Sequence, residues 1–386
     1  MTSAALPLPI LILTGFLSGA GIRLADPLLA LIASDFEARV AAAAPVVAGF
    51  TLAYGLAQPV LGPLGDRFGK LRLIAVCMAC YGAATLAAAL APSLGALTVA
   101  RAVAGAFAGG LIPVAIALIG DATTYANRQA TLGRFMTGMV LSNLITAPLA
   151  GIAGDAVGWR PVFALLGAAG LADAAPLWRE AARLPPARHG PGSSALARYA
   201  MLLRRASARR LLILVGLEGA FAFGAPPFIG AFLVEGYGLS FTWAGLILGT
   251  AGLGALLYTR IAGLLVRHFG ERGLLIGGGV GLVVWLGGVG LAPPLVAVAA
   301  ANFIGGLALG CFHGVLQARG SEMLPESRST GMAAFAFCLF VGLAAGAGAV
   351  GALLPLVGYR MLFGAAATGT ALVAAAAAAA PRGARA

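Results

Sequence analysis

Along most of the chain, apolar residues run on for about twenty positions before polar ones interrupt them. Hydrocarbon ~30 Å thick takes ~20 residues of helix to cross. Twelve stretches reach that length, roughly 8–33, 45–65, 73–92, 95–119, 130–153, 160–178, 211–234, 242–265, 273–292, 295–317, 330–353 and 358–380. Backbone groups in lipid must bond within their own segment, and these runs lack the alternation of a barrel strand. The pattern therefore predicts an all-α membrane protein with twelve transmembrane helices. One long polar interval, 181–208, carries Pro185, Pro186, Pro191 and many Arg. It separates six spans from six, which predicts a first bundle over 1–180, a linker loop over 181–208 and a second bundle over 209–386.

Composition agrees with the pattern. Hydrophobic residues make up 60% of the chain and charged residues 10%, whereas a water-soluble domain carries ~25% charged residues. A soluble fold is excluded. The net charge of +12 would suggest a nucleic-acid partner in a soluble protein, but the placement of the cations says otherwise. Twenty of the 25 Lys and Arg fall on one set of connections; Arg39, Arg160 and Arg360 fall on the other, and Arg23 and Arg101 lie within spans. Cations concentrate on the cytoplasmic side of membrane proteins. Both termini are thus expected in the cytoplasm, at a bacterial-type inner membrane, with anionic lipid head groups beside the basic loops. No basic segment precedes the first apolar run, so the first helix is expected to stay uncleaved.

Little else in the sequence points to reaction chemistry. Cys77 and Cys80 form a CxxC, but no His or second CxxC accompanies it, and the four Cys all lie in apolar runs. They suit close helix packing better than metal or redox work. His189, His268 and His313 are scattered, with no nucleophile–His–acid set and no phosphate-cradling loop. No enzyme, metal or ATP chemistry is expected.

The two halves echo each other. At an offset of 200, Gly151, Val157, Gly158, Trp159, Arg160 and Phe163 match Gly351, Val357, Gly358, Tyr359, Arg360 and Phe363, while Pro27 matches Pro227 and Asp35 matches Glu235. At an offset of 201, GPLGDRFGKLR (62–72) matches GLLVRHFGERG (263–273) through Gly263, Leu265, Phe269 and Gly270. Repeated six-helix halves with a site between them at mid-membrane describe a transporter body.

The stretch GPLGDRFGKLR concentrates charge in a chain that otherwise avoids it. Asp66 sits at the C-terminal, negative pole of its own helix, so it needs another helix's N-terminus, or Arg67 or Arg128, as partner. The cations Lys70 and Arg72 also follow from the positive-inside bias alone. Gly62, Asp66, Arg67, Gly69 and Lys70 resemble the loop signature of the major facilitator superfamily between its second and third helices, with Arg72 one place beyond the expected final cation. The resemblance covers the whole chain in span count, orientation and central loop. It implies the major facilitator fold and a cytoplasmic gate in which Asp66 contacts the start of span 11 when that side is closed, with Gly62 allowing close approach. The second copy has Arg267 in place of the acid, so only the first latch is complete.

Charges inside the spans each need a reason, because one at mid-bilayer costs at least ~2.5–3.5 kcal/mol. Arg23 and Asp26 share one face of span 1; Arg101 lies in span 4, Asp173 in span 6, Glu218 in span 7, and Asn302, His313 and Gln317 in span 10. Counting ~1.5 Å per residue, Asp26 and Arg101 both fall ~12–14 Å below the outer surface. Spans 1 and 4 line the cavity in the family, so the two residues are expected to meet across it. Arg101 and Gly105 also resemble the family's proton-coupling motif in helix 4. A buried Asp26 beside Arg101 stays ionised, and takes a proton when its partner turns away. A static cluster of Arg23, Asp26 and Arg101, with Asp26-Pro27 marking a kink, explains the same residues. Glu218 is read as a proton carrier, a contact for a cationic substrate, or a carboxylate facing a wet cavity without a role. His313, Gln317 and Asn302 are read as possible cavity polar groups, and Asp173 as near enough to the cytoplasmic end to reach water.

In span 5, Pro148 and Gly151 resemble the motif of the family's antiporters, although Ala147 and Ile152 depart from its flanking glycines. The resemblance is to the bacterial drug:proton antiporter type. It implies a monomeric, proton-coupled exporter of small amphipathic molecules by alternating access, with the proton gradient as energy source and no cofactor. An importer or proton symporter of a sugar or organic acid shares the fold and motifs. A non-transporting membrane sensor is the third reading.

Overall fold

The fold is given by a computed structural model that describes residues 6–123, 125–183, 195–291 and 293–379. Span 1 is broken in the middle: a helix over Leu8–Arg23 gives way to turns around Pro27 and resumes over Leu29–Asp35. Spans 2 to 6 are Val40–Phe68, Lys70–Ala89, Leu94–Ala122, Tyr125–Val157 and Trp159–Ala182. Span 7 is broken like span 1. It runs as an α-helix over Ala206–Glu218, a π-turn over Gly219–Phe223, a 3-10 turn over Pro226–Phe228 and an α-helix over Ile229–Tyr237. Spans 8 and 9 form one rod, Phe241–Gly290, bent at Gly270; span 10 is Leu295–Ser321; spans 11 and 12 form the rod Arg328–Ala379, bent at Gly358. The twelve expected helices are present. Several outrun their apolar cores, because a helix that has left the hydrocarbon keeps its backbone bonds into the polar margin.

The central interval departs from the expected loop. Residues 184–194, Arg188 among them, lie outside the described residues, but Ala195–Arg204 is a helix. Its sequence ALARYAMLLR buries Leu202 completely and leaves Met201 and Leu203 exposed, so one apolar stripe docks inward. Arg198 Nε donates to Thr330 Oγ1 at 3.3 Å, tying this helix to the start of span 11.

The internal repeat recurs as geometry. Gly69 and Gly270 separate spans 2 from 3 and 8 from 9 with φ of 94° and 62°; Gly158 and Gly358 separate 5 from 6 and 11 from 12 with φ of 82° and 72°. Side chains other than Gly rarely adopt this backbone, so the matched glycines mark matched corners. The aromatic matches do the same. Trp159 Nε1 donates to Asp35 Oδ2 at 3.0 Å in the first half, and the Tyr359 hydroxyl donates to Glu235 Oε2 at 2.6 Å in the second. A third tie recurs with its charges exchanged. Lys70 Nζ lies 2.7 Å from Asp121 Oδ2, joining spans 3 and 4, while Arg319 pairs with Glu271 to join spans 10 and 9.

The halves touch through spans 2 and 11, 5 and 8, and 1 and 7, towards the end opposite the Arg-rich connections. A Cβ on Gly151 would lie 2.2 Å from Phe241 O, one on Gly351 2.2 Å from Ala44 Cβ, and one on Gly230 2.4 Å from Asp26 O. At the Arg-rich end, the ion pairs Lys70–Asp66, Lys70–Asp121, Arg319–Glu271 and Arg205–Glu326 each join residues of one half, and a Cβ on Gly62 would meet nothing within 4 Å.

Candidate functional site: a charged chamber between the halves

A chamber of about 320 Å³ opens between the bundles at the depth of the broken helices. Arg23, Asp26 and Asn143 line it from the first half, and Tyr258, Trp285 and His313 are among its residues from the second. The breaks explain its position. Pro27 and Pro227 interrupt spans 1 and 7 where these cross, so side chains on the two broken turns face the gap rather than a neighbouring helix.

On the first wall, Arg23 Nη1 lies 3.5 Å from Asp26 Oδ2. Asp26 Oδ1 is buried with no hydrogen-bond partner among the described residues. Asp26 and Arg101 form no ion pair in this conformation, although each lies within reach of the other's charge. Arg101 is turned into the first bundle, 1% exposed. Its Nη1 donates to Gly21 O at 2.9 Å and its Nε to Val46 O at 3.4 Å, and its guanidinium lies 4.0 Å from the Phe50 ring centroid. Gly105 makes this possible: a Cβ there would stand 2.1 Å from Phe50 O, so only Gly lets span 2 come close enough to present both carbonyl and ring. Equal depth put the two residues at one level, but the guanidinium is held by a carbonyl just before the break in span 1, a carbonyl of span 2 and an aromatic face.

On the second wall, Glu218 sits immediately before the π-turn, 1% exposed, and His313 Nδ1 lies 3.1 Å and 3.2 Å from its two carboxylate oxygens. The imidazole is flanked by the Phe223 and Phe335 rings at 5.4 Å and 5.5 Å. Glu218, read as lacking a partner in its own helix, has one on span 10. π-turns insert one residue and re-aim side chains, and they gather at functional sites. Asn302 is also enclosed: its Oδ1 accepts from Trp285 Nε1 at 3.1 Å and its amide donates to Val298 O. Gln317 lines the chamber towards the Arg-rich end.

Two further expectations meet a different arrangement. Asp173 is 2% exposed, accepts from the Thr14 hydroxyl at 2.7 Å and lies between spans 6 and 1 rather than in water. Asp66 pairs with Lys70 at 2.8 Å rather than with span 11 or Arg67, whose guanidinium stacks on Phe68 at 5.4 Å. The side chain of Arg128, the other candidate partner, lies outside what is described. Pro148 and Gly151 form the crossing of spans 5 and 8: a Cβ on Gly249 would stand 2.5 Å from Pro148 Cγ.

Asp155 was not singled out by sequence, yet its carboxylate accepts from the N–H groups of Phe241 and Thr242 at 3.1 Å and 2.7 Å, capping span 8 from the end of span 5. The signal was present. An acid at the C-terminal pole of its own helix needs a donor elsewhere, the argument already applied to Asp66.

Two halves of broken and unbroken helices around a charged chamber define a membrane-transporter architecture. The comparisons place the chain within it. Residues 11–325 match the family model described as Major Facilitator Superfamily. The chain belongs to that superfamily, whose named relatives here are transporters and not enzymes. A triacylglyceride transporter of Mycolicibacterium hassiacum is 38% identical over 89 residues, covering 23% of this chain and 17% of the relative. An uncharacterized MFS-type transporter of Mycobacterium tuberculosis is 31% identical over 198 residues, covering 50% and 32%. The chain spans between 17% and 36% of the length of the first four curated relatives. Among solved structures, a bacterial homolog of the human lysosomal transporter Spinster superposes with a TM-score of 0.78 at 17% identity, covering 97% of this chain and 96% of that one. The nucleoside transporter NupG gives 0.75 at 15% identity, covering 96% and 98%.

Proposed function

We propose that this protein is a monomeric, proton-coupled exporter of small amphipathic molecules, working by alternating access in a bacterial-type inner membrane with its Arg-rich end and both termini in the cytoplasm. The observation that carries the reading is the Glu218–His313 pair: a carboxylate and an imidazole bonded at 3.1 Å, buried behind a chamber between two halves. Such a pair holds a proton without exposing a bare charge to hydrocarbon. Asp26, with one oxygen unpartnered among the described residues, is a second acid beside the same space, behind Arg23. Apolar walls of Phe223, Leu248, Leu309 and Trp285 favour an amphipathic cargo, and the triacylglyceride-transporter relatives support an apolar one. Pro148 and Gly151, at the crossing of spans 5 and 8, support export.

In this scheme the cytoplasmic gate is Gly62, Asp66, Arg67, Gly69 and Lys70. With Asp66 held by Lys70, that gate is free of span 11 and the chamber faces the cytoplasm. Cargo enters, the halves rock, Asp66 transfers to the start of span 11, and a proton taken up by the chamber acids from outside resets the cycle. The proton gradient is the energy source, and no cofactor takes part.

The test is transport of a fluorescent amphiphile by purified protein in proteoliposomes with an imposed pH gradient. The expected result is cargo moving against its gradient while protons move down theirs, with Glu218→Gln and Asp26→Asn losing gradient-driven accumulation. Transport indifferent to the gradient would overturn proton coupling, and cargo moving together with protons would replace export by import.

A further inference from the structure

The two ion pairs in the chamber share an arrangement that neither shows alone. On the first wall the Arg23 side chain is 27% exposed and Asp26 8%; on the second His313 is 21% exposed and Glu218 0%. In both, the cationic partner forms the surface and the carboxylate lies behind it. A ligand therefore meets the nearer positive ends first, because Coulomb energy falls with distance and the acids stand further off. The donors that remain point the same way. Among the described residues Arg23 has one long contact, at 3.5 Å, to Asp26, so most of its five N–H groups are available to a ligand. A carboxylate only accepts, so the hydrogen between the pair sits on His313 Nδ1, and Nε2 makes no hydrogen bond among the described residues of this chamber wall. Asn302 Oδ1 accepts from Trp285 Nε1, and Asn143 and Gln317 offer the chamber uncharged amides, so its full charges at the surface are the two cationic groups.

From this we infer that the chamber selects amphiphiles with an anionic head group, a carboxylate or phosphate, bridging Arg23 and His313, with the apolar body against Phe223, Leu248 and Leu309. The inference rests on the chamber being the amphiphile site, and its test separates the two.

Trp285 lines the chamber and is one of four Trp, so it reports on occupancy. Ten-carbon chains, brominated at one end and ending in a carboxylate, an amide or a trimethylammonium, are titrated onto the protein in nanodiscs at fixed pH. Quenching lost in Trp285→Phe is the chamber signal. The expected result is saturation by the carboxylate at about tenfold lower concentration than by the amide, with the trimethylammonium weakest. Arg23→Gln and His313→Gln should abolish the carboxylate's advantage while amide binding persists, which also shows that the variants are folded. Asp26→Asn, which frees Arg23, should tighten carboxylate binding. A trimethylammonium bound as well as the carboxylate, or a carboxylate preference unchanged in Arg23→Gln, overturns the head-group inference while leaving the amphiphile site intact. No saturable signal from any of the three overturns the amphiphile reading itself.

Discussion

Arg101 shows how a single residue can be legible as exceptional while the groups that hold it stay hidden. Its presence in a span demanded compensation, and that much was legible in the sequence. What compensates it depends on where a helix breaks and on a glycine that opens the way to Phe50, neither of which residue spacing encodes. Arg101→Leu should lower stability, since a charge-assisted hydrogen bond contributes about 1.5–3 kcal/mol and a desolvated cation–π contact about 2 kcal/mol. Arg101→Lys should recover little, because an ammonium lacks the flat fork that reaches two carbonyls while lying on a ring. Thermal unfolding in detergent measures both; a Lys variant as stable as the parent would contradict the geometry. Gly105→Ala should cost about 1–3 kcal/mol by forcing spans 2 and 4 apart, read by the same melt. Glu218 was legible as a charge without a helix-mate, but its bond to a residue 95 positions away was not.

At the scale of elements, long apolar runs specified spans well and polar intervals poorly. The helix Ala195–Arg204 was hidden because frequent Arg and nearby prolines outweighed a weak apolar stripe. The glycine corners were visible only as repeated letters; positive φ supplies their reason. In the proposed cycle the carboxylate caps are the contacts that break and re-form. Asp155 holds span 8 to span 5 at one end, as Asp66 is proposed to hold span 11 to span 2 at the other. Asp155→Asn should weaken this exposed cap by about 0.5–1 kcal/mol, through the lost charge and the second lost acceptor. That shifts the population towards the state open at this end about two- to fivefold. Thiol labelling of a cysteine placed at Leu144, where spans 5 and 8 cross, should quicken; unchanged labelling would show that the cap does not gate. Asp66→Asn should act oppositely, favouring conformers open at the Arg-rich mouth, and unchanged cysteine accessibility there would remove Asp66 from the gate.

For the whole molecule, lipid simplifies the problem. Twelve runs of the right length, one cation-rich side and a 200-residue echo leave few arrangements, so the architecture was readable before any coordinate. Which acids face the chamber was less so, because side-chain direction in a broken helix follows the break and not the 3.6-residue period. The account as a whole claims that protonation of the chamber acids sets which end is open. Double electron–electron resonance tests this directly, with one spin-label pair at Phe68 and Val266 near the Arg-rich end and another at Val157 and Trp243 at the opposite end, in a background free of native Cys. The prediction is that a change of pH lengthens one distance while shortening the other, and that Glu218→Gln holds both near one limit at every pH. Distances that ignore pH, or that change in the same sense at both ends, would contradict it.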